Sequence, residues 1–135
     1  MALVVDSSIA ACWSLPDEAS EVANRALARV VDETMLVPRL FWYEIRNVLI
    51  VSERRRRISI GQTNEALARI TLLPIEIDEI PSTEKAMELA RLYALSFYDA
   101  SYLELALRTK STLATLDRKL RAGARAAKVH LIGSD

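Results

Sequence analysis

Four acidic residues are the strongest candidates for chemistry in this chain: Asp6, Glu44, Asp99 and Asp117. Carboxylates brought together raise one another's pKa, so a cluster of them stays ionised only where a cation neutralises it. Oxygen ligands without cysteine or clustered histidine select Mg²⁺ or Mn²⁺ rather than zinc. Such an ion polarises a phosphoryl oxygen and lowers the pKa of its water. If the fold gathers these acids, the sequence predicts metal-assisted hydrolysis of a phosphodiester.

Three of the acids also have a simpler explanation as helix caps. Asp6, Asp99 and Asp117 each precede a predicted helix, and an Asp N-cap stabilises a helix by about 1 kcal/mol. Ser7 or Ser8 could cap the first of these helices equally well. No single one of these residues decides between capping and catalysis.

Glu44 occupies a position on its predicted helix that is costly for an isolated carboxylate. Leu40 and Phe41 lie one turn before it, so Glu44 falls at the edge of the apolar stripe rather than on the solvated face. A carboxylate in that position needs an ion pair or a metal. Pairing with Arg39 or Arg46 and membership of a metal site are equally good interpretations.

Short apolar segments alternate with amphipathic ones along the chain. The segments predicted as strands are 2–5, 35–37, 74–78, 112–116 and 129–132, and those predicted as helices are 18–32, 39–57, 59–73, 82–94, 98–108 and 118–127. This alternation predicts one α/β domain over residues 1–135, with three α/β/α layers around a parallel sheet. Ligands of such folds bind beyond the carboxyl ends of the strands. The four acids stand at those ends or in the helical turns that follow.

Composition bounds the class of protein. The 135 residues suffice for one core, and the 18 basic residues balance 18 acidic ones, which excludes a strongly polybasic nucleic-acid binder but not a local basic patch. Cys12 is the only cysteine, which excludes a disulfide framework and a thiolate zinc site. The opening apolar run is interrupted at Asp6 and is too short for a signal peptide or a membrane span. We expect a soluble, cytoplasmic protein with no membrane association.

Four motifs in the chain match one known family. They are Val4-Val5-Asp6-Ser7-Ser8, Tyr43-Glu44-Ile45-Arg46-Asn47-Val48-Leu49, Tyr98-Asp99-Ala100-Ser101-Tyr102-Leu103-Glu104-Leu105-Ala106 and Leu113-Ala114-Thr115-Leu116-Asp117-Arg118-Lys119-Leu120. In this order and spacing they resemble the PIN-domain ribonucleases, above all the VapC-like toxins of bacterial and archaeal toxin–antitoxin pairs. The resemblance implies a five-stranded parallel sheet in which the first and fourth strands are adjacent, so that Asp6 faces Asp117 across the switch point.

The same resemblance implies a set of roles for the site residues. The four acids would hold one or two Mg²⁺ or Mn²⁺ ions for in-line attack of water on an RNA phosphodiester, which leaves a 5′-phosphate. Ser8 and Thr115 would orient carboxylates or water, and Asn47 would be a polar neighbour of Glu44. Because two cations follow Asp117, we expect this acid to orient water rather than to bind the metal directly.

Two basic segments are candidates for contact with RNA. One lies next to the predicted chemistry and is the preferred substrate contact: Arg118, Lys119, Arg121 and Arg125. The other, 54–57, is a run of four arginines at a predicted helix end, where cations complement the helix dipole. A solvated helix end is the favoured interpretation of this run, and contact with RNA phosphates or with an acidic partner are the alternatives.

Aromatic residues bracket the early helices: Trp13, Phe41, Trp42 and Tyr43. Most of them are expected in the core, with one face exposed. The resemblance implies a cognate antitoxin that lays a segment into a groove between these helices, and a homodimer. His130 is expected to be structural.

Two other functions fit parts of the sequence. A catalytically degenerate PIN-fold module could bind protein or RNA without cleaving it, although the presence of all four acids argues against this. A receiver-like signalling domain would also use an acidic Mg²⁺ pocket, with Asp78 as the phosphoacceptor. That alternative is weaker, because no adjacent acidic pair follows the first strand.

Overall fold

In the described part of the chain, four parallel strands form the centre of the molecule: β1 Ala2–Val5, β2 Thr34–Val37, β3 Ile75–Ile77 and β4 Thr112–Ala114. Seven helices of the same part connect and cover them: α1 Ser7–Ser14, α2 Glu21–Val30, α3 Leu40–Arg54, α4 Ile60–Thr71, α5 Thr83–Tyr93, α6 Phe97–Thr109 and α7 Arg118–Ala126. The structure is a computed structural model that describes residues 2–133. Within that range, no helix is long and apolar enough to cross a membrane.

The order of strands in the sheet is β3-β2-β1-β4, so β1 is an inner strand. Leu3 lies beside Met35 of β2 on one side and Thr112 of β4 on the other. Leu3, Val4 and Val5 are all fully buried, as an apolar run is when a strand is covered on both faces. The direction of strand order reverses between β1 and β4, and this switch point is where α/β folds bind ligands. The predicted adjacency of the first and fourth strands is confirmed.

The helices form two layers, one on each face of the sheet. Crossovers between parallel strands are right-handed, so the helices between β1 and β3 lie on one face and α5 and α6 on the other. In agreement with this, α2 and α6 each pack against both β1 and β4. The predicted three-layer α/β/α architecture is confirmed.

Most of the helices begin at a residue whose side chain accepts a backbone N–H. The caps are Asp6 for α1, Ser20 for α2, Ser59 for α4, Ser82 for α5, Ser96 for α6 and Asp117 for α7. Several helices end inside their predicted bounds. For example, α3 stops at Arg54 because Arg56 adopts a left-handed backbone conformation with φ 59°.

The predicted fifth strand, 129–132, does not form, so the sheet built by residues 2–133 has four strands instead of five. The chain returns beside β4, but of the residues described there only Leu131 pairs, in a single bridge with Leu113. Arg121 then donates to the carbonyl of Gly133 at 3.0 Å. The positive φ of Gly133, 68°, turns the chain at that point. A ladder of one bridge is too short to count as a strand.

Candidate active site

Asp6 lies directly after β1 and is bonded through both carboxylate oxygens. It is 4% exposed. Its Oδ1 accepts the N–H groups of Ser8 at 3.1 Å and Ile9 at 3.3 Å, and the Ser8 hydroxyl at 2.6 Å. Its Oδ2 accepts the hydroxyl of Thr115, which follows β4. Asp6 is therefore the cap of α1, and the alternative that Ser7 or Ser8 caps this helix is wrong.

Ser8 and Thr115 join the turn after β1 to the turn after β4. The Ser8 hydroxyl oxygen accepts the N–H of Leu116 at 3.0 Å, and the Thr115 hydroxyl oxygen accepts the N–H of Asp117 at 3.0 Å. Both hydroxyls also donate to Asp6, so they lie where supporting residues were predicted. Asn47, in contrast, is exposed and makes no hydrogen bond to the acids within residues 2–133.

Glu44 is half-buried in the second turn of α3 and is bonded by a tyrosine rather than by an arginine. The Tyr102 hydroxyl donates to Oε1 of Glu44 at 2.6 Å. Arg46 instead bonds a main-chain carbonyl one turn back at 3.1 Å, and Arg39 pairs with Glu79 at 3.4 Å. The interpretation in which Glu44 pairs with one of these arginines is wrong, because both side chains have other partners.

Asp99 and Asp117 differ in how they sit on their helices. Asp99 lies inside the first turn of α6, and its N–H donates to the Ser96 hydroxyl at 3.0 Å. Ser96 is the cap, so the interpretation of Asp99 as a cap is wrong and another role is needed for its half-buried carboxylate. Asp117 does cap α7, since its Oδ1 accepts the N–H of Leu120 at 2.8 Å.

Burial raises the pKa of the two most enclosed acids. The pKa of Asp6 rises to about 6, because burial outweighs the hydrogen bonds from Ser8 and Thr115 that lower it. The pKa of Glu44 is also raised, mainly by burial, while the Tyr102 hydrogen bond opposes the rise. In both cases the charge of Asp99 raises the pKa further.

Asp99 is the electrostatic centre of the group. Its own pKa is raised first by burial and then by the charge of Asp117, while the charge of Lys119 opposes the rise. Asp99 therefore influences, or is influenced by, each of the other three acids. The switch point brings the four acids close enough to act on one another.

The chemistry of this donor set can be compared with what metal ions require. In the part of the chain that the structure describes, no three acidic, histidine or cysteine side chains converge closely enough to hold an ion between them. Mg²⁺ commonly binds through one or two carboxylates and keeps several waters, whereas structural zinc needs four converging ligands. Oxygen donors that stand near one another without converging fit a hydrated hard ion and do not fit zinc.

The four basic residues of α7 have different surroundings. Lys119 is exposed and acts on Asp99, so it borders the acids. Arg118 and Arg125 are also exposed. The Arg121 guanidinium donates to the main-chain carbonyls of Thr115 at 2.9 Å and of two residues near the C-terminal end at 3.2 and 3.0 Å. Arg121 thus has a structural role that the sequence did not indicate.

The arginine run 54–57 lies far from the acids. Arg54 is ten residues beyond Glu44 on α3, a distance of about 15 Å along the helix axis. Arg57 pairs with Asp17 at 2.9 Å and Glu18 at 3.3 Å. The other three arginines are exposed, as expected of a solvated helix end.

Two residues of the site were not predicted. Tyr102 bonds Glu44, and the Ser7 side chain lies close enough to both to lower their pKa. A hydroxyl three residues after Asp99, on the same side of a largely apolar helix, was the available signal for Tyr102. Ser7 carried no signal beyond its suitability as a cap.

The receiver-like alternative depends on Asp78, and the structure gives this residue another partner. Arg108 donates to Asp78 at 2.5 Å and to Glu104 at 2.7 Å. Asp78 follows β3, at the edge of the sheet away from the switch point. It is therefore part of an ion-pair cluster and does not stand among the four acids.

Solved structures with the same fold come from several organisms. PAE2754 from Pyrobaculum aerophilum superposes with a TM-score of 0.74 at 22% identity, over 98% of this chain and 90% of that one. FitAcB from Neisseria gonorrhoeae gives 0.67 at 14% identity, over 97% and 96%. Mycobacterium tuberculosis VapC20, described as a sarcin-ricin loop cleaving toxin, gives 0.64 at 15% identity, over 89% and 93%. These similarities establish the fold.

Sequence comparison establishes the family. Ribonuclease VapC3 of Pyrobaculum aerophilum is 32% identical over 123 residues, which cover 89% of this chain and 92% of the relative. The family model of the PIN domain matches residues 3–126, a span that includes all four acids. The resemblance inferred from the four sequence motifs is confirmed, and the chain belongs to the PIN domain family.

Proposed function

We propose that this chain is a divalent-metal-dependent endoribonuclease that hydrolyses RNA phosphodiester bonds. The observation that carries the proposal is the mutual influence of the acids at the switch point, where Asp99 raises the pKa of both Asp6 and Glu44. Acids in this arrangement resist full ionisation unless a cation accompanies them. The relative named ribonuclease VapC3 supports RNA as the substrate.

The acids differ in how firmly they are held. Asp6 is held by Ser8 and Thr115, and Glu44 is held by Tyr102, so these two present their oxygens in set directions. We assign Asp6, Glu44 and Asp99 to a hydrated ion, which they would bind directly or through its waters, and Asp117 to orienting the attacking water. A bound Mg²⁺ or Mn²⁺ would supply charge neutralisation at the scissile phosphate and lower the pKa of water.

Cations beside the acids are proposed to bind the RNA backbone. Lys119 borders Asp99, and Arg118 and Arg125 are exposed on the same helix. Phosphate contacts by such side chains position the substrate without reading its sequence. Arg121 is not among the proposed contacts, because its guanidinium already bonds three main-chain carbonyls.

Cleavage assays on the purified chain test this function. Free of any partner, the protein should cleave RNA with Mg²⁺ or Mn²⁺ and stop when EDTA is added. Asp6→Asn and Asp99→Asn should each lower kcat by about 100-fold or more, equivalent to roughly 3 kcal/mol. Asp32→Asn makes the same change at an exposed residue between α2 and β2. This residue lies at the amino ends of the parallel strands, opposite the acids, so the variant should leave the rate unchanged.

Three results would count against the proposal. Cleavage that persists in EDTA would refute the metal dependence. Full activity in both Asp6→Asn and Asp99→Asn would refute the assignment of the active site. A folded wild-type protein that cleaves no RNA would favour the degenerate binding module instead.

We further propose that the enzyme is a toxin restrained by a cognate antitoxin, as the VapC-like resemblance implies. Trp13, one of the aromatics assigned to a partner groove, lines an apolar cavity of about 210 Å³ together with Leu27, Ile70 and Leu73. The cavity lies between α1, α2 and α4, and Leu27 at its edge is 39% exposed. An apolar partner segment would cover it. Phe41, in contrast, is fully buried in the core.

A charged substitution at this cavity tests the antitoxin proposal. Leu27→Glu should abolish inhibition by the product of a small reading frame immediately upstream, and RNA cleavage should be unaffected. Val31→Glu, at a 74% exposed position just after the same helix, is the matched control. Normal inhibition of Leu27→Glu would place the antitoxin elsewhere. The homodimer stays a prediction. Light scattering of the purified protein, which measures its molar mass, tests it.

A further inference from the structure

Tyr102 is the largest of the fully buried side chains, and its hydroxyl reaches the acidic site. It lies one turn after Asp99 on α6 and is 1% exposed. Its ring belongs to the hydrophobic core, and its hydroxyl donates to Oε1 of Glu44 at 2.6 Å. Phenylalanine would fill the same space without a polar atom. Packing therefore accounts for the ring and leaves the hydroxyl to be explained.

The Tyr102 hydroxyl fixes the direction of the Glu44 carboxyl group, because it donates to one of its two oxygens. A hydrogen-bond donor also favours the ionised carboxylate that a cation would bind. The bond also links α6, which carries Asp99, to α3, which carries Glu44. A rigid bond between the two helices restricts rotation of the carboxyl group.

We propose that Tyr102 is a positioning residue that acts through Glu44, orienting this carboxylate so that it can share a divalent ion with the neighbouring acids. The inference rests on the proposed function, because it assumes that Glu44 belongs to an ion-binding site. Groups that hold metal-binding side chains in place typically change metal affinity about 10- to 100-fold when they are removed.

Removal of the hydroxyl alone tests the inference. Tyr102→Phe should bind Mn²⁺, measured by electron paramagnetic resonance without RNA, about 10-fold more weakly than the wild type. Tyr93→Phe removes the hydroxyl of a half-buried tyrosine on α5, which makes no hydrogen bond to the acids within residues 2–133, and should bind Mn²⁺ normally. Thermal unfolding without metal checks that each variant is folded. Tyr102→Leu also removes the hydroxyl but fills the core with a side chain of another shape, and it should show the same loss of Mn²⁺ affinity.

A double variant shows whether Tyr102 acts through Glu44. Glu44→Gln removes the charge but keeps an acceptor for the hydroxyl. In that background Tyr102→Phe should cause no further loss of Mn²⁺ affinity, since residues in one network are non-additive. Unchanged affinity in Tyr102→Phe alone, or the same loss with Glu44→Gln present, would overturn the inference.

The outcomes separate this inference from the ribonuclease proposal. Mn²⁺ binding that depends on Tyr102, in a protein that cleaves no RNA, would refute the enzyme and keep the positioning role. RNA cleavage together with an Mn²⁺ affinity that does not depend on Tyr102 would keep the enzyme and refute the positioning role.

Discussion

Asp6 combines two roles that the sequence presented as alternatives. It caps α1 through Oδ1, and through Oδ2 it bonds Thr115 in the turn after the neighbouring strand β4. Burial makes its charge costly while these bonds partly compensate. A residue chosen for capping alone would not need the bond to Thr115, which indicates that the position of this carboxylate matters.

The ionisation of Asp6 should destabilise the metal-free protein as the pH rises. Burial raises its pKa from 3.8 to about 6, so the folded state favours the protonated form. This contribution to stability is complete below the unfolded pKa and is lost as the pH passes the folded pKa. The wild type should therefore lose about 2–3 kcal/mol of unfolding free energy between pH 4 and pH 7 that Asp6→Asn, which cannot ionise at this position, does not lose. The free energy of unfolding of the variant minus that of the wild type should rise by this amount.

Urea unfolding in EDTA at the two pH values measures this difference. Saturating Mg²⁺ should stabilise the wild type and reduce the difference at pH 7, because a ligand that binds only the folded state adds to its stability. A difference that does not change with pH would show that Asp6 is ionised at little cost.

Lys119 should act on substrate binding rather than on the chemical step. It is exposed, yet its charge lowers the pKa of Asp99, so it lies beside the acids. Lys119→Gln should raise KM for RNA several-fold with little change in kcat, and should reduce the slope of log affinity against log salt by about 1. Lys85→Gln, an exposed lysine on α5, should leave the salt slope as it is. Equal slopes for Lys119→Gln and wild type would exclude a phosphate contact.

At the scale of elements, the sequence predicted the helices and the inner strands well. Apolar periodicity and capping residues are local signals, and they located the helix 82–94, found as Thr83–Tyr93. The prediction of a strand at 129–132 was wrong because the path of this segment depends on contacts with other elements, including the hydrogen bonds that Arg121 donates to it. The prediction of an arginine partner for Glu44 was wrong for a similar reason, since its actual partner, Tyr102, lies 58 residues away in sequence.

Arg121 should matter for stability although it is on the helix richest in candidate RNA contacts. Its guanidinium joins α7 to the carbonyl of Thr115 and to the segment beside β4. Hydrogen bonds to charged groups contribute about 1.5–3 kcal/mol each, with imperfect additivity, so Arg121→Gln should lower the free energy of unfolding by about 2–3 kcal/mol. Arg125→Gln, exposed on the same helix, should change it little. Urea denaturation of the two variants compares them, and equal stabilities would refute this role.

For the whole molecule, a buried ion cluster fastens the edge of the sheet to α6. Arg108 donates to Asp78 after β3 and to Glu104 on its own helix, and Glu104 is 3% exposed. Glu104 also accepts the N–H of Ser82, the cap of α5, at 3.4 Å. The cluster therefore fixes the helix that carries Asp99 relative to its neighbours.

Removal of Arg108 alone from this cluster should lower the free energy of unfolding more than removal of Arg108 together with Glu104. Arg108→Met leaves the carboxylates of Asp78 and Glu104 without their cation and should cost about 3–5 kcal/mol, whereas replacing both members of a buried pair by apolar residues is often nearly neutral. The double variant Arg108→Met with Glu104→Met should therefore recover part of the stability in urea unfolding. A double variant less stable than Arg108→Met would contradict this account.

The bond between Asp6 and Thr115 spans 109 residues of sequence, and this separation has a consequence for protein synthesis. At about 5–20 residues per second, roughly 5–20 s pass between the addition of Asp6 and that of Asp117. Until β4 and the turn after it have been made, β1 has only one of its two neighbours and Asp6 has neither Thr115 nor Asp117 beside it. A growing chain therefore carries no assembled acidic site. A ribonuclease built in this way would be harmless to the message and the ribosome that are still producing it.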